Sequence, residues 1–143
     1  MLKGIPPILS PELLKILMEM GHGDELVLAD GNFPAAAMAK RLVRADGHGV
    51  PELLDAILAL FPLDSFVDCP VALMQVVPGS DCETPPIWAK YESVIKQHEP
   101  VHNGREQVER FAFYERAKAA YAVVATSESA LYANVILKKG VVL

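Results

Sequence analysis

The run Leu26-Val27-Leu28-Ala29 is short, apolar and unbroken, Val71 to Val77 is apolar but for Gln75, and each is bounded by turn-forming residues. A strand with one wet face alternates polar and apolar side chains; a continuous run of this length is a strand buried on both faces. Both faces therefore need covering, and the intervening segments can do it. Leu13, Leu14, Leu17 and Met18, then Leu53, Leu54, Ile57 and Leu58, then Trp88, Tyr91 and Ile95 recur at helical spacing. Strands alternating with helices in this way predict a layered α/β domain with helices on both faces of its sheet.

The punctuation fills in the order. Ser10 reads as an N-cap with Pro11 at the first helical position, and Gly21 as the left-handed residue that ends that helix. A strand over Glu25 to Ala29 follows, then a short Ala-rich helix from Ala35 to Ala39, a strand over Arg41 to Ala45 and a helix from Pro51. After the strand at Val71 to Val77 comes a helix over Pro86 to His98, a break at Pro100 to Gly104, a helix over Glu106 to Ala120, and strands over Tyr121 to Thr126 and Leu131 to Lys138. Too few residues separate the last two strands for a helical crossover, so they are antiparallel or non-adjacent and the sheet is mixed. No repeat or linker divides the 143 residues, which predicts a single domain over 1–143.

Bulk properties exclude several classes. Apolar residues make up 52% of the chain, yet no run approaches the roughly 20 needed for a membrane span. Pro6 and Pro7 interrupt any signal-peptide core after Met1-Leu2-Lys3, so the expected location is cytoplasmic, with Cys69 and Cys82 as reduced thiols. The net charge is −5 and no basic stretch stands out, Lys138-Lys139 alone being too little for a phosphate backbone; nucleic acid is not an expected partner. Apolar surplus without a membrane segment points to self-association.

The segment Gly21-His22-Gly23-Asp24-Glu25 sets a histidine, the side chain that titrates near neutral pH, in a tight turn with carboxylates close by. The glycine pair lacks the third glycine of a dinucleotide loop and precedes its strand, and no GxSxG elbow occurs. His22, Asp24 and Asp30 form only a weak metal signature, so no metal or organic cofactor is expected. From the residues alone, His22 is either a surface turn residue or an acid–base group, and Asp30 either an N-cap or a ligand contact. Arg110 and Tyr114 share a helix face, four residues apart. Tyr132 and Asn134 point the same way if they lie on a strand, where Asn is out of place unless it bonds locally or to a ligand. His48, His98 and His102 sit in polar contexts and receive no role. Directional hydrogen-bonding groups with one flat apolar face suit a polyhydroxylated ring.

Several motifs in fixed order carry a resemblance. Ile8-Leu9-Ser10-Pro11-Glu12-Leu13-Leu14, Met20-Gly21-His22-Gly23-Asp24-Glu25, Ala29-Asp30 with Phe33-Pro34, Arg44-Ala45-Asp46-Gly47, Arg110-Phe111 through Phe113-Tyr114-Glu115-Arg116-Ala117, and Tyr132-Ala133-Asn134-Val135-Ile136-Leu137-Lys138-Lys139-Gly140 resemble the L-fucose mutarotases, relatives of the D-ribose pyranases. The resemblance runs nearly end to end. It implies a three-layer α/β/α domain assembled into a ring, commonly a decamer with sites between subunits, that interconverts the anomers of L-fucose. It places the acid–base role on His22, shared with Tyr114, and sugar binding on Asp30, Arg110, Tyr132 and Asn134, with Asp64 and Met74 also lining the pocket. Where the resemblance leads one to expect alanine and glycine, this chain has Gly31 and Ala133. The Ala133 methyl is expected to stand beside the pocket, to remove conformational freedom and to narrow or shift the sugar preference.

Anomer exchange needs a proton delivered to the ring oxygen while another leaves the anomeric hydroxyl, which suits a histidine. His22 and Asp30 are eight residues apart, up to about 26 Å on an extended path. The chain must therefore turn back sharply after Ala29, or one site must take the two residues from different subunits. The rival expectations are pyranose–furanose exchange of D-ribose and a non-catalytic sugar-binding ring.

Overall fold

The Ser10 hydroxyl accepts the Leu13 N–H at 3.1 Å and Pro11 opens helix α1 (Pro11–Glu19), as the capping pattern requires, in a computed structural model that describes residues 1–101 and 104–143. There follow β1 (Glu25–Ala29), α2 (Ala35–Met38), β2 (Leu42–Ala45), α3 (Val50–Leu58), β3 (Val71–Met74), α4 (Pro86–His98), β4 (Arg105–Val108), α5 (Arg110–Ala119), β5 (Ala122–Thr126) and β6 (Val135–Lys138). The strands form one sheet in the order β2-β5-β1-β6-β3-β4. β1, β2 and β5 are mutually parallel, as are β3 and β4, and β6 runs antiparallel to both β1 and β3. Five strands thus share one direction. β5 and β6 flank β1 instead of pairing with each other, and the sheet is mixed, as their short connection requires.

Strand alternation sorts the core into two layers. Leu26, Leu28, Val71, Leu73, Val135 and Leu137 pack against Leu13 of α1, Leu54 of α3 and Trp88 of α4. Val27, Ala29, Ala72, Met74 and Ile136 pack on the other side against Ala35 of α2 and Phe113 and Ala117 of α5. The result is a three-layer α/β/α arrangement. Each large core side chain such as Leu54 contributes about 1.5–3 kcal/mol by leaving water.

Four expectations are corrected. Gly21 is not the left-handed residue: helix α1 ends on an extended Met20, the Asp24 carboxylate accepts the Gly21 N–H at 2.7 Å, and the positive φ of +86° falls on Gly23. The third strand stops at Met74 instead of Val77, whose N–H donates to the Tyr132 hydroxyl at 3.2 Å. The helix expected from Glu106 splits. Arg105-Glu106-Gln107-Val108 pairs with the free edge of β3, and Glu109 caps α5 by accepting the Phe111 and Ala112 N–H groups. Polar composition hid this strand, yet charged residues are what an exposed sheet edge carries. Finally, the last strand begins at Val135, so Tyr132 and Asn134 lie in the loop before it, with Tyr132 at φ +55°. His102, in the expected Pro100–Gly104 break, lies outside the described residues.

Candidate functional site

Because five strands run the same way, their carboxyl ends gather along one edge of the sheet, where open α/β folds bind ligands. Asp30 follows β1, Met74 ends β3, Arg110 opens α5 just after β4, and Asn134 precedes the antiparallel β6 on this same edge. With Tyr114, Tyr132, Asn32, Phe33, Val77, Ser80, Ala130 and Leu131 they line a cavity of about 280 Å³, suited to a small molecule. A larger cleft of about 400 Å³ near the N-terminus is lined only by Met, Leu, Ile and Pro side chains and has no side-chain donor or acceptor to orient a polar ligand.

The polar groups of the cavity are fixed from behind. Asn134, almost fully buried, accepts the Asp30 backbone N–H on Oδ1 at 2.8 Å, and Asp30 Oδ1 accepts the Asn32 N–H at 3.0 Å. Burial raises the Asp30 carboxyl above its ordinary range, against the lowering effect of the Asn32 and Phe33 amides, the Asn134 side chain and the Ala133 amide. The strained turn at Tyr132 is clamped by α4: the Trp88 indole N–H donates to the Tyr132 carbonyl at 2.9 Å and the Tyr91 hydroxyl to the Ala133 carbonyl at 2.6 Å. Burial, with the Glu128 and Asp30 charges, pushes the Tyr91 phenol far up, so it stays a donor. On the opposite wall the Arg110 guanidinium stands 5.7 Å from the Tyr114 ring centroid, and Tyr114 meets Phe33 edge to face at 5.6 Å.

His22 is not in this cavity. It precedes β1 and sits at the amino edge of the sheet, in a turn tied to the end of β6: Gly23 N–H donates to the Lys139 carbonyl at 2.8 Å and Lys139 N–H to the Asp24 carbonyl at 2.9 Å. There His22 Nε2 lies 3.1 Å from Asp64 Oδ1. A carboxylate can only accept, so Nε2 carries the proton and Nδ1 of the neutral ring is left with a lone pair, on a side chain 46% exposed. Asp64 is 3% exposed, and the same Oδ1 accepts the Phe66 N–H at 3.0 Å. Burial by itself would raise the Asp64 carboxyl. The Phe66 amide, the His22 ring and the Lys138 charge outweigh it and hold the carboxyl below its ordinary range.

Residues 3–142 match the RbsD / FucU transport protein family. The chain belongs to that family. Within it, this member is 56% identical over 141 residues to the L-fucose mutarotase of Actinobacillus pleuropneumoniae serotype 5b, covering 99% of this chain and 97% of the relative. It is 54% identical over 146 residues to the fucose mutarotase of Homo sapiens, covering 98% and 94%. The crystal structure of the Streptococcus pneumoniae fucose mutarotase in complex with L-fucose matches it with a TM-score of 0.94 at 56% identity, over 99% of this chain and 100% of that one.

The family member's candidate residues thus fall into two groups. Asp30, Met74, Arg110, Tyr114, Tyr132 and Asn134 meet at one cavity, whereas His22 and Asp64 meet at the opposite edge. Asp64, expected to line the sugar pocket, lies beneath His22 and not at the cavity of its own chain. Arg110 and Tyr114 share a face as their spacing requires. The Ala133 methyl, expected beside the pocket, is fully buried in the core and does not line the cavity. At Gly31 a Cβ would stand 3.2 Å from the Glu128 carbonyl, which gives the glycine a packing role. His48 and His98 lie near surface carboxylates, Glu52 at 3.4 Å and Asp55 at 2.7 Å. Among the described residues no group of three or more His, Cys, Asp or Glu could hold a metal. Sequence reasoning missed Asn32, Val77, Ser80, Ala130 and Leu131, which line the cavity from loops without a motif, and Phe66, whose ring stands beside His22 and which nothing in the sequence marks.

Proposed function

We propose that this protein is an L-fucose mutarotase, opening and reclosing the pyranose ring by acid–base catalysis. The carrying observation is His22 itself: half-exposed, with its Nε2–H fixed on a buried carboxylate, which leaves the Nδ1 lone pair of the neutral ring to take a proton. His22 takes the proton of the anomeric hydroxyl while a second group protonates the ring oxygen. The C5–O5–C1 ring opens at the O5–C1 bond, the aldehyde turns about C1–C2, and closure reverses both transfers. Tyr114, on the cavity wall, is the second proton carrier; Asp30 and Asn134 hold ring hydroxyls, Arg110 and Tyr132 orient the ring, and Met74 supplies apolar wall.

Within one chain His22 and the cavity are kept apart by β1, whose five residues span about 16 Å. The reading is therefore a homo-oligomeric ring, a decamer on the family pattern, in which one 1–143 domain offers the cavity and its neighbour offers His22. Cytoplasmic operation accords with two unpaired cysteines. Among the described residues no helix is long and apolar enough to cross a membrane.

NMR saturation transfer between anomeric protons tests this over L-fucose, D-ribose and D-galactose. Exchange with L-fucose well above the rate in buffer is expected, and His22→Gln should fold normally yet lose about 10²-fold or more of it. Wild-type rates in that variant would remove His22 from the mechanism. Exchange of D-ribose alone would indicate a pyranase, and none with any sugar a binding protein.

A further inference from the structure

We infer that Phe66 is a sugar-binding residue that enters the neighbouring subunit's cavity together with His22 and covers the C–H face of the bound pyranose. This rests on the proposal that His22 serves a neighbour's cavity.

One buried oxygen links the two residues. Asp64 Oδ1 accepts both the His22 Nε2–H, at 3.1 Å, and the Phe66 backbone N–H, at 3.0 Å. The two rings stand 5.4 Å apart between centroids, inclined by 53°. A cavity entered by His22 therefore receives Phe66 as well. Asp64 beneath them is 3% exposed, yet Phe66 is 71% exposed, a large apolar ring held over a buried anchor.

The cavity on the other edge has a matching need. A pyranose is not polar all round: its axial C–H groups form an apolar, slightly positive face that fits the negative face of an aromatic ring. Of the cavity's three rings, Phe33, Tyr114 and Tyr132, the first two are engaged by neighbours and the third has its hydroxyl held by the Val77 N–H. Phe33 is buried and meets Phe113 and Tyr114 edge to face, and Tyr114 has the Arg110 guanidinium 5.7 Å from its centroid. Hydrogen bonding from Asp30, Asn134 and Arg110 leaves one sugar face to be covered from outside, and Phe66 is the ring that arrives with the acid–base group.

Three variants, Phe66→Ala, Phe66→Leu and Phe66→Tyr, separate contact from support of His22. Phe66→Ala should raise KM for L-fucose exchange about tenfold with kcat little changed, Phe66→Leu less, and Phe66→Tyr should restore KM. An unchanged KM, or a loss confined to kcat, overturns the inference, the latter because Phe66 would then only orient His22. Mixed assemblies assign the subunit. His22→Gln chains mixed with Asp30→Asn chains should regain activity at hybrid sites. Adding Phe66→Ala to the Asp30→Asn chain, which supplies His22, should raise the hybrid KM; adding it to the His22→Gln chain should not. The reverse pattern, or indifference to Phe66, overturns the inference while the shared-site reading stands. A parent mixture without activity overturns that reading itself.

Discussion

Asp64 holds both the His22 ring and the Phe66 backbone through one oxygen, and its negative charge strengthens both bonds. Its carboxyl lies below the ordinary range in the folded chain, since the Phe66 amide, His22 and Lys138 outweigh the opposing effect of burial. The unfolded carboxyl titrates near about 3.9, so the folded state gains from the shift above that pH and loses the gain as pH falls through the lower folded value. Asp64→Asn should therefore cost more stability in urea melts at pH 7 than near pH 2; equal losses at both would deny the charge this role. The same variant should reduce exchange about 10–10²-fold, because an amide can donate to Nε2 and move the ring proton to Nδ1. Asp30 runs the other way. Its carboxyl is raised, chiefly by burial, so its ionisation subtracts from stability as pH rises between the unfolded and folded values.

The short link that places Asp64 depends on close backbone approach. Leu63 bridges to Lys139, Asp64 N–H donates to the Lys138 carbonyl at 3.0 Å, and Gly140 N–H to the Pro62 carbonyl at 2.8 Å. A Cβ on Gly140 would stand 2.5 Å from the Leu63 carbonyl oxygen and 2.9 Å from the Asp64 Cα, so backbone would have to move. Gly140→Ala should cost about 1–3 kcal/mol and lower exchange by displacing Asp64 from His22. Unfolding and NMR exchange on one sample check both, and unchanged values would show that the link tolerates the shift. At this scale the sequence was readable where a local rule applies: Ser10-Pro11 starts α1, and the Leu26–Ala29 run is a buried strand. It misled where a partner decides. Arg105 to Val108 becomes a strand only because β3 has a free edge, and Tyr132 leaves the strand pattern because α4 clamps its turn.

Across the whole molecule, β1 keeps the proposed acid–base group and the proposed binding cavity at opposite edges of the sheet, and two copies make one proposed site. Exchange per chain should therefore fall on dilution in step with dissociation seen by sedimentation; full activity from monomers would sink the shared site. The sequence by itself determined the layers, most helix starts and which residue types could do acid–base and sugar-binding work. These depend on apolar periodicity, caps and turns, whose physics acts over a few neighbouring residues. Only the tertiary structure decided which edge each group occupies, that Asp64 supports His22, and that Asn134 secures Asp30. Those contacts join residues 42 and 104 positions apart, and strand order, not local preference, brings them together.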